Sequence, residues 1–255
     1  MSDDFNSIPR EAVITNQPGV NDSRIESSEN NRLLRYLSAV DKLIVCQKVL
    51  THEGWTNCGY KNSYTIKDSI GRDVYKAIES SNCCIRNLCH QKRPLDLKIV
   101  DEYQTEVIHL YRGLRCQGCC FPCCLQRLEI YSPPNNLLGI VQQEWSLFFP
   151  DLSVQTDEGE TLYKIGGPVC TWSCCNNSDF PVLDAKSGVD VGKITKKCSG
   201  VLDEALSDDS QFGLTFLTEL DVNQKAMLLG ALFLIDFMYY ESCFSRACND
   251  VICCD

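Results

Sequence analysis

The most hydrophobic stretch of the chain is Ala226-Met227-Leu228-Leu229-Gly230-Ala231-Leu232-Phe233-Leu234-Ile235-Asp236-Phe237-Met238-Tyr239-Tyr240. A helix that is apolar on every side is buried either in a protein core or in lipid. At a rise of 1.5 Å per residue this stretch reaches about 22 Å, short of the roughly 30 Å hydrocarbon core of a bilayer. Asp236 would add about 2.5 to 3.5 kcal/mol to the cost of insertion. We therefore predict one helix at 222–240, with Asp221 as its N-cap, enclosed by strands rather than spanning a membrane.

The sequence that precedes this helix has the pattern of a β domain. Short runs rich in Val, Ile, Tyr and Phe alternate with turn residues such as Pro133-Pro134-Asn135-Asn136 and Asp157-Glu158-Gly159. A short helix is predicted near Leu33 to Val40, because its apolar residues follow helical spacing. The predicted strands are 42–50, 64–69, 97–101, 106–111, 125–131, 138–141, 161–165 and 180–185. Eight or more short strands in one domain predict a closed barrel, which leaves no exposed edge.

Composition limits the compartment and the partners. The net charge of -10 and the pI near 4.8 argue against a nucleic-acid partner held by bulk charge. Residues 1–31 form a polar arm, expected to be disordered, without an apolar run that would act as a secretory signal. We therefore expect a reducing compartment, in which the 18 cysteines are thiols, acyl sites or metal ligands rather than disulfides. The predicted barrel domain covers 32–241, and a Cys-rich tail covers 242–255.

Four cysteines lie in the run Cys119-Cys120-Phe121-Pro122-Cys123-Cys124. Adjacent thiols are poorly placed to share one tetrahedral metal, and a disulfide between them is strained. Exposed cysteines beside apolar and basic residues can instead carry S-acyl chains, and two such chains give stable membrane anchoring. We predict S-acylation of Cys119, Cys120, Cys123 and Cys124; the alternative is that these thiols pack inside the protein. The flanking apolar and basic residues are Arg112, Leu114, Arg115, Leu125 and Arg127.

Several segments in order resemble the phospholipid scramblase family, over roughly Leu33 to Glu241. The segments are Cys83–Cys89, Cys119–Phe149, Gly192–Lys197, Asp208–Asp221 and Ala231–Met238. The resemblance implies a Tubby-like fold, in which a closed β-barrel of about 12 strands wraps a C-terminal hydrophobic helix. It also implies calcium-responsive, ATP-independent movement of membrane phospholipids between leaflets, from the cytoplasmic face. This is lipid translocation rather than covalent chemistry, and the sequence shows no catalytic motif of its own.

The segment Asp208–Glu219 resembles the calcium-binding segment of that family. Compared with an EF-hand loop, it implies Ca²⁺ ligands at Asp208, Ser210, Phe212, Leu214 and Glu219. Few of these are charged, so the expected affinity is weak. An alternative follows from the alternation of Leu214, Phe216 and Thr218 with their neighbours, which indicates a strand. In that case the acidic cluster at Asp203, Glu204, Asp208 and Asp209 is the better cation site.

Lys193, Lys196 and Lys197 lie in a segment that resembles a nuclear-import signal known in the family. The same lysines could form a solvated strand face or attract anionic lipid. The proline-rich arm of many scramblases is missing, so SH3 and WW partners are not expected. The alternative function is an S-acylated lipid-binding or signalling adaptor that does not scramble and enters the nucleus when unacylated. Nothing in the sequence specifies an oligomeric state.

Overall fold

Twelve antiparallel strands close into a single barrel around a helix. The computed structural model describes residues 35–49, 62–80, 93–115, 125–146, 151–167, 178–197 and 211–240. Each strand pairs with its neighbours in sequence, and the first pairs with the last. The strands are β1 (Lys42–Val49), β2 (Asn62–Asp68), β3 (Asp73–Glu79), β4 (Leu95–Val100), β5 (Glu106–Arg112), β6 (Arg127–Ser132), β7 (Asn136–Gln143), β8 (Leu152–Gln155), β9 (Thr161–Ile165), β10 (Ser178–Asp184), β11 (Asp190–Lys197) and β12 (Gln211–Phe216). The predicted fold class is confirmed.

Strand alternation separates the interior of the barrel from its surface. On β12 the side chains of Phe212, Leu214 and Phe216 point inward and are buried, while the residues between them are partly exposed. Closure places Leu214 opposite Leu43 and Phe212 opposite Val45 on β1. Because the side-chain period of a strand is two residues, each strand contributes its apolar set to the same enclosed core.

The helix α2 (Val222–Ile235) lies inside the barrel and continues as a π-helical turn, Asp236–Tyr240. Every side chain from Lys225 to Met238 is buried. Asp221 accepts from the backbone N–H of Asn223, and Gln224 completes a capping box. The predicted enclosure of this helix and the Asp221 N-cap are therefore both confirmed. Within the described residues, no helix has the length and hydrophobicity that a membrane crossing requires.

Some elements differ from the sequence prediction. The helix α1 (Arg35–Ser38) is shorter than the predicted segment. The list of predicted strands lacks β3 and β8, and β11 and β12 were predicted only as alternatives to an import signal and to a calcium loop. β3 carries charges at Asp73, Lys76 and Glu79, which hide its alternation, and β8 is only 4 residues long. The predicted arm and the Cys-rich tail lie outside the described residues.

The two ends of the barrel differ in their connections. At one end, which we call the tight-turn end, the strands are joined by the short turns 69–72, 101–105, 133–135, 156–160 and 185–189. At the opposite end, the long-connection end, the strands are joined through 50–61, 80–94, 113–126, 144–151, 166–177 and 198–210. The hydrogen bond from the Tyr64 hydroxyl to Asp236 and the contacts of Phe237 with the guanidinium groups of Arg93 and Arg112 place the C-terminus of the helix at the long-connection end.

Replacing Gly139 by alanine tests the close contact between helix and barrel. A Cβ at Gly139 of β7 would overlap the Met227 side chain and lie 2.5 Å from the carbonyl oxygen of Gln155. Since that oxygen belongs to the backbone, relief requires a shift of the strand. We expect Gly139→Ala to lower the free energy of unfolding by about 1 to 3 kcal/mol in urea denaturation. Gly113→Ala is the control, because nothing lies within 4 Å of its added Cβ. Equal stability of the two variants would contradict this account.

Candidate functional site

The long-connection end carries the chemistry that the sequence singles out. Every cysteine except Cys46 falls in one of its connecting segments or in the tail after Tyr240. The three tryptophans, Trp55, Trp145 and Trp172, fall in these segments as well. In an antiparallel barrel the ends of odd strands and the beginnings of even strands meet at one rim. The topology therefore attaches these cysteines and tryptophans to one end of the domain.

Exposed apolar side chains mark the described part of this rim. Leu114, which follows β5, is 64% exposed, and Trp145, which follows β7, is 52% exposed. Between them, Arg115 Nη1 donates to the carbonyl oxygen of Leu125 at 3.0 Å. The rim thus combines an aliphatic, an aromatic and a cationic side chain, a composition that suits the boundary between membrane and water.

A buried ion pair lies just inside the rim. Glu79, the last residue of β3, accepts from Arg93 Nε at 2.7 Å and from Arg93 Nη2 at 3.0 Å. Arg112, the last residue of β5, donates to the carbonyl oxygen of Arg93 at 2.9 Å. Both guanidinium groups also face the ring of Phe237, at 5.3 and 5.8 Å from its centroid. Desolvated charges of this kind persist only with such fixed partners.

A second buried group surrounds Asp236. Its Oδ2 accepts from the Tyr64 hydroxyl at 2.7 Å. Lys196 lies nearby, with Nζ 4.3 Å from the Phe212 centroid and 5.5 Å from that of Tyr240. Burial raises the pKa of Asp236 above its ordinary value, and this outweighs the lowering by Lys196, by the Tyr64 hydrogen bond and by Arg93. The Asp236 carboxyl therefore has a buried hydrogen-bond partner at the end of the helix.

These two groups form one polar layer, which we call the inner charged layer: Glu79, Arg93, Arg112, Lys196, Asp236 and Tyr64. It closes the core where the helix ends. Sequence reasoning missed it, although a signal was present. The inward series Leu95-Leu97-Ile99 on β4 extends backward to Arg93, and the series Tyr75-Ala77 on β3 extends to Glu79. Charged residues at inward positions, all at the same end of their strands, predict such a layer.

The structure corrects the predicted lysine patch. Lys193 and Lys197 are exposed on the outer face of β11, and Lys193 Nζ lies 3.0 Å from Asp179 Oδ2. Lys196 is only 2% exposed and points into the barrel. The prediction of one exposed patch of three lysines is therefore wrong for Lys196, because strand alternation puts it on the opposite face from its neighbours.

The calcium segment is described only from Gln211 onward. Phe212 and Leu214 have buried side chains in β12, and their backbones lie in ladders with both β1 and β11. Glu219 is exposed beyond the strand. The predicted strand is confirmed for Gln211–Phe216, although Thr218 lies beyond its end, so this part of the segment does not adopt an EF-hand loop. Asp208 and Ser210, with the alternative cluster at Asp203, Glu204 and Asp209, lie outside the described residues. Among those that are described, no three His, Cys, Asp or Glu side chains assemble as metal ligands.

Cys119, Cys120, Cys123 and Cys124 also lie outside the described residues, but their flanks are described. Leu114 and Arg115 lie at the rim, as expected of residues beside an acylated loop. Arg127 is on the outer face of the barrel, where its Nε lies 3.3 Å from Glu129. Arg112 is 2% exposed and belongs to the inner charged layer. Arg112 flanks the cysteine run in sequence, but its side chain points into the barrel and adds no positive charge to the surface beside that run.

Comparison with known proteins identifies the family. The family model for scramblases matches residues 23–242. The chain belongs to the scramblase family. Phospholipid scramblase 1 from Homo sapiens is 43% identical to this family member over 213 residues, which cover 84% of the chain and 67% of that protein. Phospholipid scramblase 2 from Bos taurus is 42% identical, over 82% of the chain and 71% of that protein.

Other scramblases share the same region. Phospholipid scramblase family member 5 from Homo sapiens is 38% identical over 82% of the chain and 77% of its own length. The chain spans about two thirds of the length of the scramblase 1 proteins that it matches, from 62% to 67%. An X-ray structure of a protein from Arabidopsis thaliana shares 14% identity with a TM-score of 0.42, over 77% of this chain and 93% of that one.

The pH dependence of stability tests the inner charged layer. Because burial raises the pKa of Asp236, the folded state keeps a proton that the unfolded state releases above the ordinary aspartate pKa of about 4. The free energy of unfolding therefore falls as the pH rises from about 4 to the folded-state pKa. Asp236→Asn keeps an acceptor for Tyr64 and has no such proton. We expect this variant to show a shallower fall in urea denaturation across that window.

The control for this experiment is Asp157→Asn, in the exposed turn 156–160. It should leave the pH profile of the parent unchanged. A parent profile that coincides with that of Asp236→Asn would show that the carboxyl of Asp236 is ionised in the folded state.

Proposed function

We propose that this chain moves phospholipids between the two leaflets of a membrane, without ATP and in response to calcium. The single observation that supports this most is the 43% identity with phospholipid scramblase 1 over 213 residues, which extend across the described barrel. The activity is a translocation of lipid rather than a covalent reaction. Membrane phospholipids are the proposed partner, reached from the cytoplasmic face.

The filled interior limits where a lipid could pass. Leu228, Leu229, Leu232 and Phe233 are fully buried between the helix and the strands, and the inner charged layer closes one end. Interiors of this kind are close-packed, so a lipid headgroup has no room among these side chains. We therefore place the lipid path at the outside of the barrel or its rim, rather than through its interior.

We propose that the long-connection end faces the membrane. S-acyl chains on Cys119, Cys120, Cys123 and Cys124 would hold it there, with Leu114 and Trp145 at the boundary between headgroups and acyl chains. Each buried CH₂ of an acyl chain contributes about 0.8 kcal/mol, so two chains give stable residence on a bilayer. The attachment of the connecting segments to one rim supports this orientation.

Calcium is proposed to act at Asp208 and the neighbouring acids Asp203, Glu204 and Asp209. The support comes from β12, because six residues of extended strand, Gln211–Phe216, reach about 17 Å from first to last and separate Asp208 from Glu219. Phe212 and Leu214 would then contribute no side-chain ligand. Only Asp208, Ser210 and Glu219 match side-chain ligand positions of an EF-hand loop, so we expect an affinity weaker than that of micromolar calcium sensors.

A second candidate function is an S-acylated lipid-binding or signalling adaptor with a nuclear pool when unacylated. The enclosure of the helix by its own barrel favours it, because the helix offers no membrane-spanning track for a headgroup. Leaflet exchange by the purified chain in liposomes separates the two functions: exchange supports the scramblase, and binding without exchange supports the adaptor.

Removing the four cysteines tests the anchoring. We expect Cys119→Ala/Cys120→Ala/Cys123→Ala/Cys124→Ala to move from the membrane fraction to the soluble fraction of cells, because the acyl chains are lost. The matched control is Cys83→Ala/Cys84→Ala/Cys174→Ala/Cys175→Ala, which removes two other pairs of adjacent cysteines. This control should stay in the membrane fraction. Unchanged fractionation of the first variant, together with no hydroxylamine-sensitive acyl label on the parent, would refute the acylation.

Calcium dependence is tested in the same liposomes. We expect Asp208→Ala to reduce the calcium-stimulated rate of leaflet exchange and to leave the rate without calcium unchanged. Asp157→Ala, in an exposed turn at the opposite end of the barrel, should behave as the parent does. An unchanged calcium response in Asp208→Ala would remove the site, and calorimetry that shows binding at or below the micromolar range would contradict the expected weak affinity.

A further inference from the structure

Five lysines share the outer surface of consecutive strands around the point where the barrel closes. Lys193 and Lys197 lie on β11, Lys42 on β1, Lys67 on β2 and Lys76 on β3. All five are exposed or half-buried, since each occupies an outward position of its strand. We call this surface the basic face. Three of its lysines come from the first third of the sequence and two from the last, so it exists only because β1 pairs with β12.

The strand register fixes the spacing of these lysines. Thr215 of β12 pairs with both Lys193 and Lys42, so that these two lysines are two strands, or about 10 Å, apart. Lys197 and Lys76 lie in a second row, about 19 Å apart across four strands. The residues between Lys197 and Lys76 in this row are Gln211, Cys46 and Thr65. Cys46 and Thr65 are buried between the two lysines of the second row, whereas Lys76 and Lys197 at its ends are exposed.

Little of this charge is neutralised locally. Lys67 faces Asp73 at 3.7 Å and Lys193 faces Asp179 at 3.0 Å, and both are surface pairs of small energetic value. Lys42, Lys76 and Lys197 form no ion pair with any residue that the structure describes. The chain as a whole has a net charge of -10. Because the rest of the chain is acidic, the lysines of the basic face favour binding of an anionic partner at this face, with the barrel in one orientation.

We propose that the basic face binds the anionic headgroups of a membrane leaflet. This rests on the proposed membrane function and names the lipid class that the barrel recognises. Lysine acts as a mobile point charge without the fork geometry of arginine, which suits a fluid array of headgroups better than one shaped ligand. The face also reaches the long-connection end at Lys197, the last residue of β11. A tilted barrel can therefore contact one leaflet through both its rim and its basic face.

Vesicle binding by the full, unacylated chain tests this proposal without measuring leaflet exchange. The probes are vesicles of phosphatidylcholine alone and vesicles that also contain phosphatidylserine. Each lysine near an anionic surface contributes about fivefold in affinity, so Lys42→Gln/Lys197→Gln should bind the phosphatidylserine vesicles about 25-fold more weakly than the parent. Lys42→Glu/Lys197→Glu should bind more weakly still, because it adds repulsion. Binding of the parent should fall as salt is raised.

The matched control is Arg127→Glu on β6, which lies five strands from both β1 and β11 around the barrel. It is compared with Lys197→Glu alone, which makes the same change in net charge. Arg127 is half-buried on the outer face of the barrel, where its Nε lies 3.3 Å from Glu129 Oε1. This control should bind within about twofold of the parent, since exposed charges beyond a Debye length are screened. Thermal melting of each variant checks that it folds. If Lys42→Glu/Lys197→Glu does not fold, Lys42→Gln/Lys197→Gln gives the decisive result.

Three results would overturn the proposal. The first is an equal loss of vesicle affinity in the control and the test variants, and the second is equal binding of the parent to both kinds of vesicle. The third is that the glutamine variant binds phosphatidylserine vesicles as the parent does but is no longer captured by an import receptor. The last result would assign the face to a protein partner. Because exchange is not measured, a chain that binds as expected but fails to scramble in liposomes refutes the proposed function alone.

Discussion

The enclosure of one apolar helix by β-strands determines the architecture of this chain. An α-helix with its side chains is about 10 to 12 Å wide, whereas the interior of an eight-stranded barrel is filled by its own side chains. A wider barrel is therefore required, and here it has 12 strands. Contact is close enough that glycine is needed at two points: Gly139 of β7 against Met227, and Gly230 of the helix, where a Cβ would lie 2.8 Å from Ile130 Cγ1. The core is thus built by the helix and the strands together.

A core of this kind moves the functional chemistry to the surface and the rims. Since the interior is packed, the outward positions of the strands and the connections between them are what remains for binding. The two ends divide these roles: short turns at one end hold the register, while the cysteine-bearing connections all join the other. The basic face links the two ends along the strands on either side of the closure between β1 and β12.

Much of the fold follows from local sequence patterns, and the remainder depends on contacts distant in sequence. Periodicity predicted the helix from its apolar run and most strands from their alternation, but β3 was missed because charges at Asp73 and Lys76 interrupt it. Length and one charge were enough to favour a core helix over a span. The lysine patch was predicted from three lysines within five residues, whereas alternation removes Lys196 and closure adds Lys42, Lys67 and Lys76. Such a surface depends on register, which a single sequence without its partner strands does not reveal.

The buried aspartate at the end of the apolar helix has a structural role as well as a cost. Asp236 reaches Tyr64 only at one depth in the barrel, and a shift by one helical turn of about 5.4 Å would bury its carboxyl among apolar side chains. At the other end of the helix, Lys225 Nζ donates to the carbonyl oxygens of Ser38 and Val40 at 2.8 and 2.7 Å. These two buried polar contacts are about 16 Å apart along the helix. The close contacts at Gly139 and Gly230 oppose sliding of the helix, and we infer that the buried polar contacts of Lys225 and Asp236 add to this by fixing its position along the barrel axis. Asp236, which argues against a membrane span, therefore also helps to hold the enclosed helix at one position along the barrel axis.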